Sequence, residues 1–390
     1  MHPRWFLNPV VPGAHSTMKH RPEHGVLEGA GAGFCGNRAH HLMQRDVTMF
    51  SGRSRGRPSG ARALTWLIGG LGLLALANHA VARRAEQRHP PEGSFMVVDG
   101  VRLHFSDRGT GSPVVLIHGN MVTGDDFNTS GVAQLLLQNH RVIIFDRPGF
   151  GYSDRPRGRM WTATQQAELL HKALRQLGAE QPVVVGHSWG AMVALAMAER
   201  YPKDVAGLAV VSGYYFPTLR PDVLLVGIAA LPGIGDLLRY TVSPLFGWLM
   251  MPLLKRALFA PARVPEHFHE EYSTAMALRP SQIRATALDG ALMIPGAMSL
   301  RRGYENLTMP VFIMAGDGDK VVFKRSAERL HARIPGSDLQ IVQGAGHMVH
   351  HLAARQVQAA IKALSTSACP PSGLMRQRGM VEERRVSGSS

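Results

Sequence analysis

Apolar positions follow two rhythms along this chain, and the change from one to the other lays out its architecture. Residues 114–117, 142–145, 183–185 and 208–211 are short, unbroken runs of Val, Ile, Leu, Ala and Phe. Runs without polar alternation suit strands buried on both faces, as in a parallel sheet covered by helices. Between them, residues 162–177 and 191–200 carry helix-forming sequence, and two later apolar runs, 310–315 and 339–342, continue the scheme. Ahead of all this, residues 95–105 alternate around Asp99-Gly100, a dipeptide that favours a tight hairpin turn. The predicted fold is α/β. A mostly parallel, doubly wound sheet follows a leading antiparallel hairpin, in a domain spanning residues 94–365.

The alternation stops between Gly213 and Pro310. Roughly ninety residues intervene where a bare crossover needs only about a dozen. The insert is apolar and helical in character, and prolines at 217, 221, 232, 244, 252, 261, 265, 280 and 295 divide it. It predicts a cap of short helices over residues 214–305, inserted before the strand at 310–315 and lying over the sheet edge. Part of this apolar surface must serve the cap's own packing. The rest, rich in methionine and aromatic residues, forms a pliable wall that suits an acyl or alkyl substrate better than a sugar.

Candidate chemistry begins with Gly186-His187-Ser188-Trp189-Gly190, which sits between the strand at 183–185 and the helix at 191–200. Strand, sharp turn and helix put a serine hydroxyl on an exposed, strained corner, with glycines where a side chain would collide. The amide of Trp189 then points from a helix N-terminus at the reacting atom, where it can stabilise an oxyanion. A serine needs a base and an orienting acid, expected in the order Ser, Asp or Glu, His. Both follow: the run 310–315 ends in Gly316-Asp317-Gly318-Asp319, and the run 339–342 leads to Gly344-Ala345-Gly346-His347. Loops at the carboxyl ends of parallel strands gather on one rim, so these groups can meet there.

Spacing alone leaves Asp317 and Asp319 as rival acids. His350 and His351 follow His347 at helical spacing, but no neighbouring carboxylate or cysteine completes a metal set, which assigns them to a first helical turn. His118, at a strand end, reads as structural, and His187 as packed beneath the serine turn.

Taken together, residues 113–120, 146–153, 186–190, 316–319 and 344–347 resemble the cap-bearing α/β-hydrolases. That branch includes esterases, lipases, carbon–carbon bond hydrolases, epoxide hydrolases and cofactor-free haloperoxidases. The resemblance implies Asp319 as the acid, from the family pattern Gly-x-x-Asp, and Asn120, just after His118-Gly119, as the second oxyanion donor. Epoxide hydrolases and haloalkane dehalogenases carry aspartate at the nucleophile position, and Ser188 departs from both. The expected activity is hydrolysis of a hydrophobic or lipid ester through an acyl-enzyme on Ser188, with His347 and Asp319, and without a cofactor or metal. Alternatives are a haloperoxidase or perhydrolase using the same three residues, and a carbon–carbon bond hydrolase. A complete Ser/Asp/His set argues against a non-catalytic receptor or scaffold.

The remaining segments carry a different signal. Residues 64–82 hold no charge, with arginines 53, 55, 57 and 62 before them and Arg83, Arg84 and Arg88 after. Nineteen residues just span a bilayer core of about 30 Å. Residues 62–83 therefore read as a membrane anchor, with a signal peptide cleaved after Ala80-Val81-Ala82 or a helix packed on the domain as alternatives; Asn78 and His79 weaken the span. The more basic N-terminal flank orients the catalytic domain to the extracytoplasmic side. Residues 1–61 and 366–390 lack periodicity and are expected to be disordered, and Met49 is a candidate translation start that would make residues 1–48 an artefact.

A net charge of +15 raises nucleic-acid binding, but the arginines are dispersed and no binding motif accompanies them. Attraction to anionic lipid accounts for those beside the apolar segment. Only Cys35 and Cys369 occur, both in the terminal regions, so no disulfide framework is indicated.

Overall fold

The computed structural model describes residues 60–218 and 227–367. Cys35, Met49, Cys369 and the two terminal regions expected to be disordered lie outside them, apart from a few residues at their inner edges. Eight strands form one sheet in the order β1-β2-β4-β3-β5-β6-β7-β8. They are β1 (Ser94–Val98), β2 (Val101–Arg108), β3 (Ser112–Ile117), β4 (His140–Phe145), β5 (Val183–His187), β6 (Gly207–Val211), β7 (Val311–Gly316) and β8 (Asp338–Val342). β1 and β2 form the expected hairpin, β2 is antiparallel to β4, and every pair from β4 to β8 is parallel. Asp99 and Gly100 both take positive φ, 49° and 75°, as a tight turn between twisted strands requires.

The unbroken apolar runs are explained by the two faces. Val115, Ile117, Val184 and Val210 join one buried cluster, whereas Val114, Leu116, Val185 and Val211 join another on the opposite side. Each fully buried side chain of this kind contributes about 1.5–3 kcal/mol, so a polar substitution on either face is costly. The first cluster is covered by α2 (Ala163–Gln176) and α3 (Trp189–Arg200). Thr162 starts α2 with a capping box: its hydroxyl accepts from the Gln165 amide, and the Gln165 side chain accepts from the Thr162 amide.

Helices ahead of the sheet and between β6 and β7 complete the molecule. α1 (Gly60–Arg88) contains the charge-free segment and runs beyond it at both ends. The insert supplies α4 (Ile234–Tyr240), α5 (Val242–Phe259), short helices at Glu266–Glu271 and Thr274–Ala277, and α6 (Pro280–Leu300). Two prolines do not divide it as expected. Pro252 lies inside the 18-residue α5 and Pro295 inside the 21-residue α6. A proline within a helix costs about 3 kcal/mol, so packing overrides it here: Met251 and Phe259 of α5 and Ala297 and Leu300 of α6 are buried. Beyond β7 come α7 (Lys324–His331) and α8 (Ala354–Ser367), and Val357, Ile361 and Leu364 of α8 cover the second cluster.

Candidate active site

β5 runs into α3 through Ser188, whose φ of 53° and ψ of −118° lie in a region that L residues avoid. Such strain persists only where the surroundings impose it. The Ser188 amide donates to the Val211 carbonyl at 2.9 Å, which ties the corner to β6. The two glycines answer to backbone: a β-carbon on Gly186 would lie 2.5 Å from the Gly190 carbonyl oxygen, and one on Gly190 would lie 2.2 Å from that of Ile117. Only glycine lets strand, turn and helix approach this closely.

Three groups far apart in sequence meet at this corner. His347 Nε2 lies 2.8 Å from Ser188 Oγ, and His347 Nδ1 lies 2.8 Å from Asp319 Oδ2. The other carboxylate oxygen, Oδ1, accepts from the amides of Val321 and Val322 at 2.8 and 2.9 Å, which fixes the carboxylate plane. Asp319 and His347 are buried and Ser188 is half-buried. Asp317 sits elsewhere in the loop and accepts from the Gly344 amide at 2.7 Å, holding the start of the loop that carries His347. The amide of His347 itself donates to the Leu258 carbonyl, at the end of α5, at 2.8 Å. The cap therefore touches the histidine loop directly.

Asn120 follows the turn after β3, and Trp189 opens α3. Their amides make no hydrogen bond among the described residues, and Trp189 directly follows Ser188. The Asn120 side chain is committed elsewhere, its Nδ2 donating to the Thr286 carbonyl on α6 and its Oδ1 accepting from the Met121 amide. A neighbouring hollow of about 450 Å³ is lined by Met121, Asp126, Asp146, Tyr152 and Tyr272, among others, but not by Ser188 or His347.

His118 is structural in its contacts. Its Nδ1–H donates to the Gly119 carbonyl at 2.7 Å, and its Nε2 accepts from the Arg147 amide at 2.9 Å, which fixes one neutral tautomer. Burial, aided by the Arg147 charge, lowers its pKa to about 4. His187 lies beneath the serine turn, with Nε2 bonded to the His347 carbonyl at 3.2 Å, and burial holds its pKa well below the ordinary value.

His350 and His351 open a short helix at Val349–Leu352, but the expectation that no carboxylate joins them is corrected. Asp126 Oδ2 accepts from His350 Nε2 at 2.8 Å, and Oδ1 accepts from His351 Nε2 at 2.9 Å. The contact bridges more than 220 positions and left no local trace in the sequence. Ligand atoms of Asp126, His187 and His350 lie within 4.8 Å of one another, close enough for a cation. Asp126 already engages the Nε2 atoms of His350 and His351, which ties the Val349–Leu352 helix to the helix at Asp126–Thr129.

Sequence reasoning also missed Asp289, on α6 and fully buried. Arg147 and Arg155 donate to it at 2.6 and 2.8 Å, and its main-chain carbonyl accepts from the Trp189 indole at 2.9 Å. It locks the cap to both the serine corner and the loop after β4.

These buried histidines have a stability consequence. His118, His187 and His350 all have lowered pKa values, with burial the first cause of each. Unfolded, they take up protons from about pH 6.5 downward while the native state resists, so stability is full above that range and is lost as pH falls. For His118 alone, a drop to about 4 corresponds to roughly 3 kcal/mol. The urea midpoint is expected to fall clearly between pH 7.5 and pH 5. A midpoint unchanged over this range would show that these imidazoles take up protons as easily folded as unfolded.

Comparison with known proteins follows from this geometry. A family profile described as the alpha/beta hydrolase fold matches residues 112–354. An uncharacterised protein of Mycobacterium tuberculosis is 31% identical over 280 residues, covering 67% of this chain and 77% of its own. A putative non-heme chloroperoxidase of Synechocystis is 26% identical over 268 residues, covering 66% of this chain and 92% of its own. Among solved structures, an esterase from Thermogutta terrifontis superposes with a TM-score of 0.57 at 23% identity, over 71% of this chain and 99% of its own. The sheet, the strand–turn–helix corner and this coverage define a hydrolase-fold protein. The chain belongs to the alpha/beta hydrolase family.

Proposed function

We propose that this protein is a serine hydrolase that cleaves an ester of a hydrophobic substrate through an acyl-enzyme. The observation that carries the reading is the continuous line Ser188 Oγ, His347 Nε2, His347 Nδ1, Asp319 Oδ2, with both hydrogen bonds at 2.8 Å. His347 takes the Ser188 proton as Oγ attacks the carbonyl carbon, and Asp319 holds the imidazole tautomer and stabilises its charged form. The developing oxyanion receives the amides of Asn120 and Trp189, and loss of one such donor typically costs about 2.7–4 kcal/mol of barrier. The alcohol leaves with the proton from His347. Water, activated by the same imidazole, then attacks the acyl carbon, releases the acid and restores Ser188. No cofactor takes part in these steps.

The apolar cap supports an acyl or alkyl substrate, α1 supports attachment to a membrane, and the arginines at 53, 55, 57 and 62 ahead of its apolar run favour a catalytic domain on the extracytoplasmic side. Among the described residues α1 alone is an unbroken helix long and apolar enough to cross a bilayer. A second reading, a perhydrolase or haloperoxidase with peroxide in place of water, is favoured by the similarity to the putative chloroperoxidase. Turnover of p-nitrophenyl esters of graded chain length, run beside peracid formation from acetate and peroxide, separates the two. Ester turnover favouring medium or long chains is expected. A strong preference for acetate, with peracid as the faster product, would replace this reading with the second.

A further inference from the structure

Exposed large apolar side chains are unevenly placed on this molecule. Of 24 among the described residues, 18 lie on α1 or between Ile228 and Leu253. Soluble proteins scatter such residues; a contiguous patch marks a contact surface. On α1, Trp66 is 80% exposed and Leu73 71%; on α5, Leu249 is 73% exposed and Phe246 62%. The two regions meet, because Asn78 of α1 donates to the carbonyls of Tyr240 and Thr241, at 3.0 and 2.7 Å.

That contact sits at the break between α4 and α5, whose axes differ by 59°. A helix break leaves carbonyls without intrahelical partners, and in water they need none. In hydrocarbon each unpaired group costs several kcal/mol, so breaks are tolerated only where protein groups satisfy them. Asn78, the residue that spoils the apolar run of α1, covers two of these carbonyls, and the Thr241 hydroxyl donates to a third, that of Leu237, at 2.6 Å. Charge follows the same logic. From residue 234 to 254 only Asp236 and Arg239 are charged, and they pair with each other. Exposed cations resume at Arg256, and on α1 at Arg83 and Arg84, whereas Lys255 is buried against Phe268 and Tyr272.

The geometry points to the α4–α5 face of the cap as a second membrane contact, sunk into an anionic bilayer beside α1. This rests on α1 being a membrane anchor and goes further: the cap itself lies in the lipid, with the cations at the headgroup boundary. The far end of α5 gives the Leu258 carbonyl to the His347 amide, so the element in the lipid also holds the histidine loop. Its substrates are then esters taken from the bilayer.

The test uses the full chain in nanodiscs of phosphatidylcholine and phosphatidylglycerol. Cys35→Ser and Cys369→Ser remove the native thiols. Leu249→Cys on α5, Leu67→Cys on α1 and the exposed Glu180→Cys then each carry an environment-sensitive fluorophore, quenched by spin-labelled lipid. Probes at 249 and 67 are expected to lose roughly half or more of their emission, and the probe at 180 almost none. Quenching at 67 without quenching at 249 overturns the inference and leaves the anchor standing, whereas no quenching at either site removes both. A probe at 249 that is shielded from water, is not quenched by lipid and cross-links to a second copy of this chain also overturns it, making the face a dimer interface.

Discussion

Asp289→Ala is expected to lower the free energy of unfolding by about 3–5 kcal/mol, the cost of stranding a buried charge by removing its partner. Asp289 and Arg147 have no exposed side-chain surface, and that of Arg155 is only 3% exposed, so neither cation can turn to water. Arg147 also donates to Gln166 Oε1 and, through Nε and Nη2, to the carbonyls of His118 and Gly119, on the strand end that precedes Asn120. A stranded guanidinium therefore loosens the loop beside Ser188 as well as the attachment of α6. The urea midpoint reads the effect, with Glu305→Ala as the comparison. Glu305 pairs with Arg333 at 2.6 Å, but both side chains are more than half exposed, and such a pair is worth about 0–1 kcal/mol. Equal midpoint shifts for the two variants would show that the buried pair does not lock the cap.

Asp319→Asn is expected to lower kcat by about 10⁴ with little change in KM, as when an amide replaces the acid of such a set and stabilises the wrong imidazole tautomer. The reason is geometric. The amides of Val321 and Val322 donate to Oδ1, so an asparagine keeps its oxygen there and turns its NH2 toward His347 Nδ1. Nδ1 must then accept, the proton moves to Nε2, and the ring no longer receives the Ser188 proton. Asp317→Asn should cost less than about tenfold, since its bond is to the Gly344 amide and a neutral oxygen can still accept there. Single-turnover kinetics on both variants tests the choice between the two acids, and a larger loss at 317 would reverse it.

Much of this arrangement was legible in the sequence where its cause is local. Unbroken Val and Ile runs marked strands buried on two faces, Asp99-Gly100 marked the hairpin, and Gly186 and Gly190 marked a corner where backbone meets backbone. Asp319 and Asp317 could not be ranked by spacing, because two residues in one loop differ only in where the turn aims them; family resemblance supplied the choice. Asp289 and Asp126 left no signal. Their partners lie across more than 120 positions, and nothing beside a lone aspartate announces that it will be buried between arginines or histidines. Prolines 252 and 295 misled for the opposite reason: a local penalty of known size is overridden by packing that only the fold reveals. Asn78 looked like a flaw in an apolar helix, and its partners, the Tyr240 and Thr241 carbonyls, lie on another element.

The account stands on Ser188 being an activated nucleophile. Folded protein treated with a fluorophosphonate and digested should carry one adduct, on the peptide containing Ser188, with labelling abolished in Ser188→Ala and strongly slowed in His347→Ala. An unlabelled native protein, or equal labelling of Ser188→Ala, would contradict it.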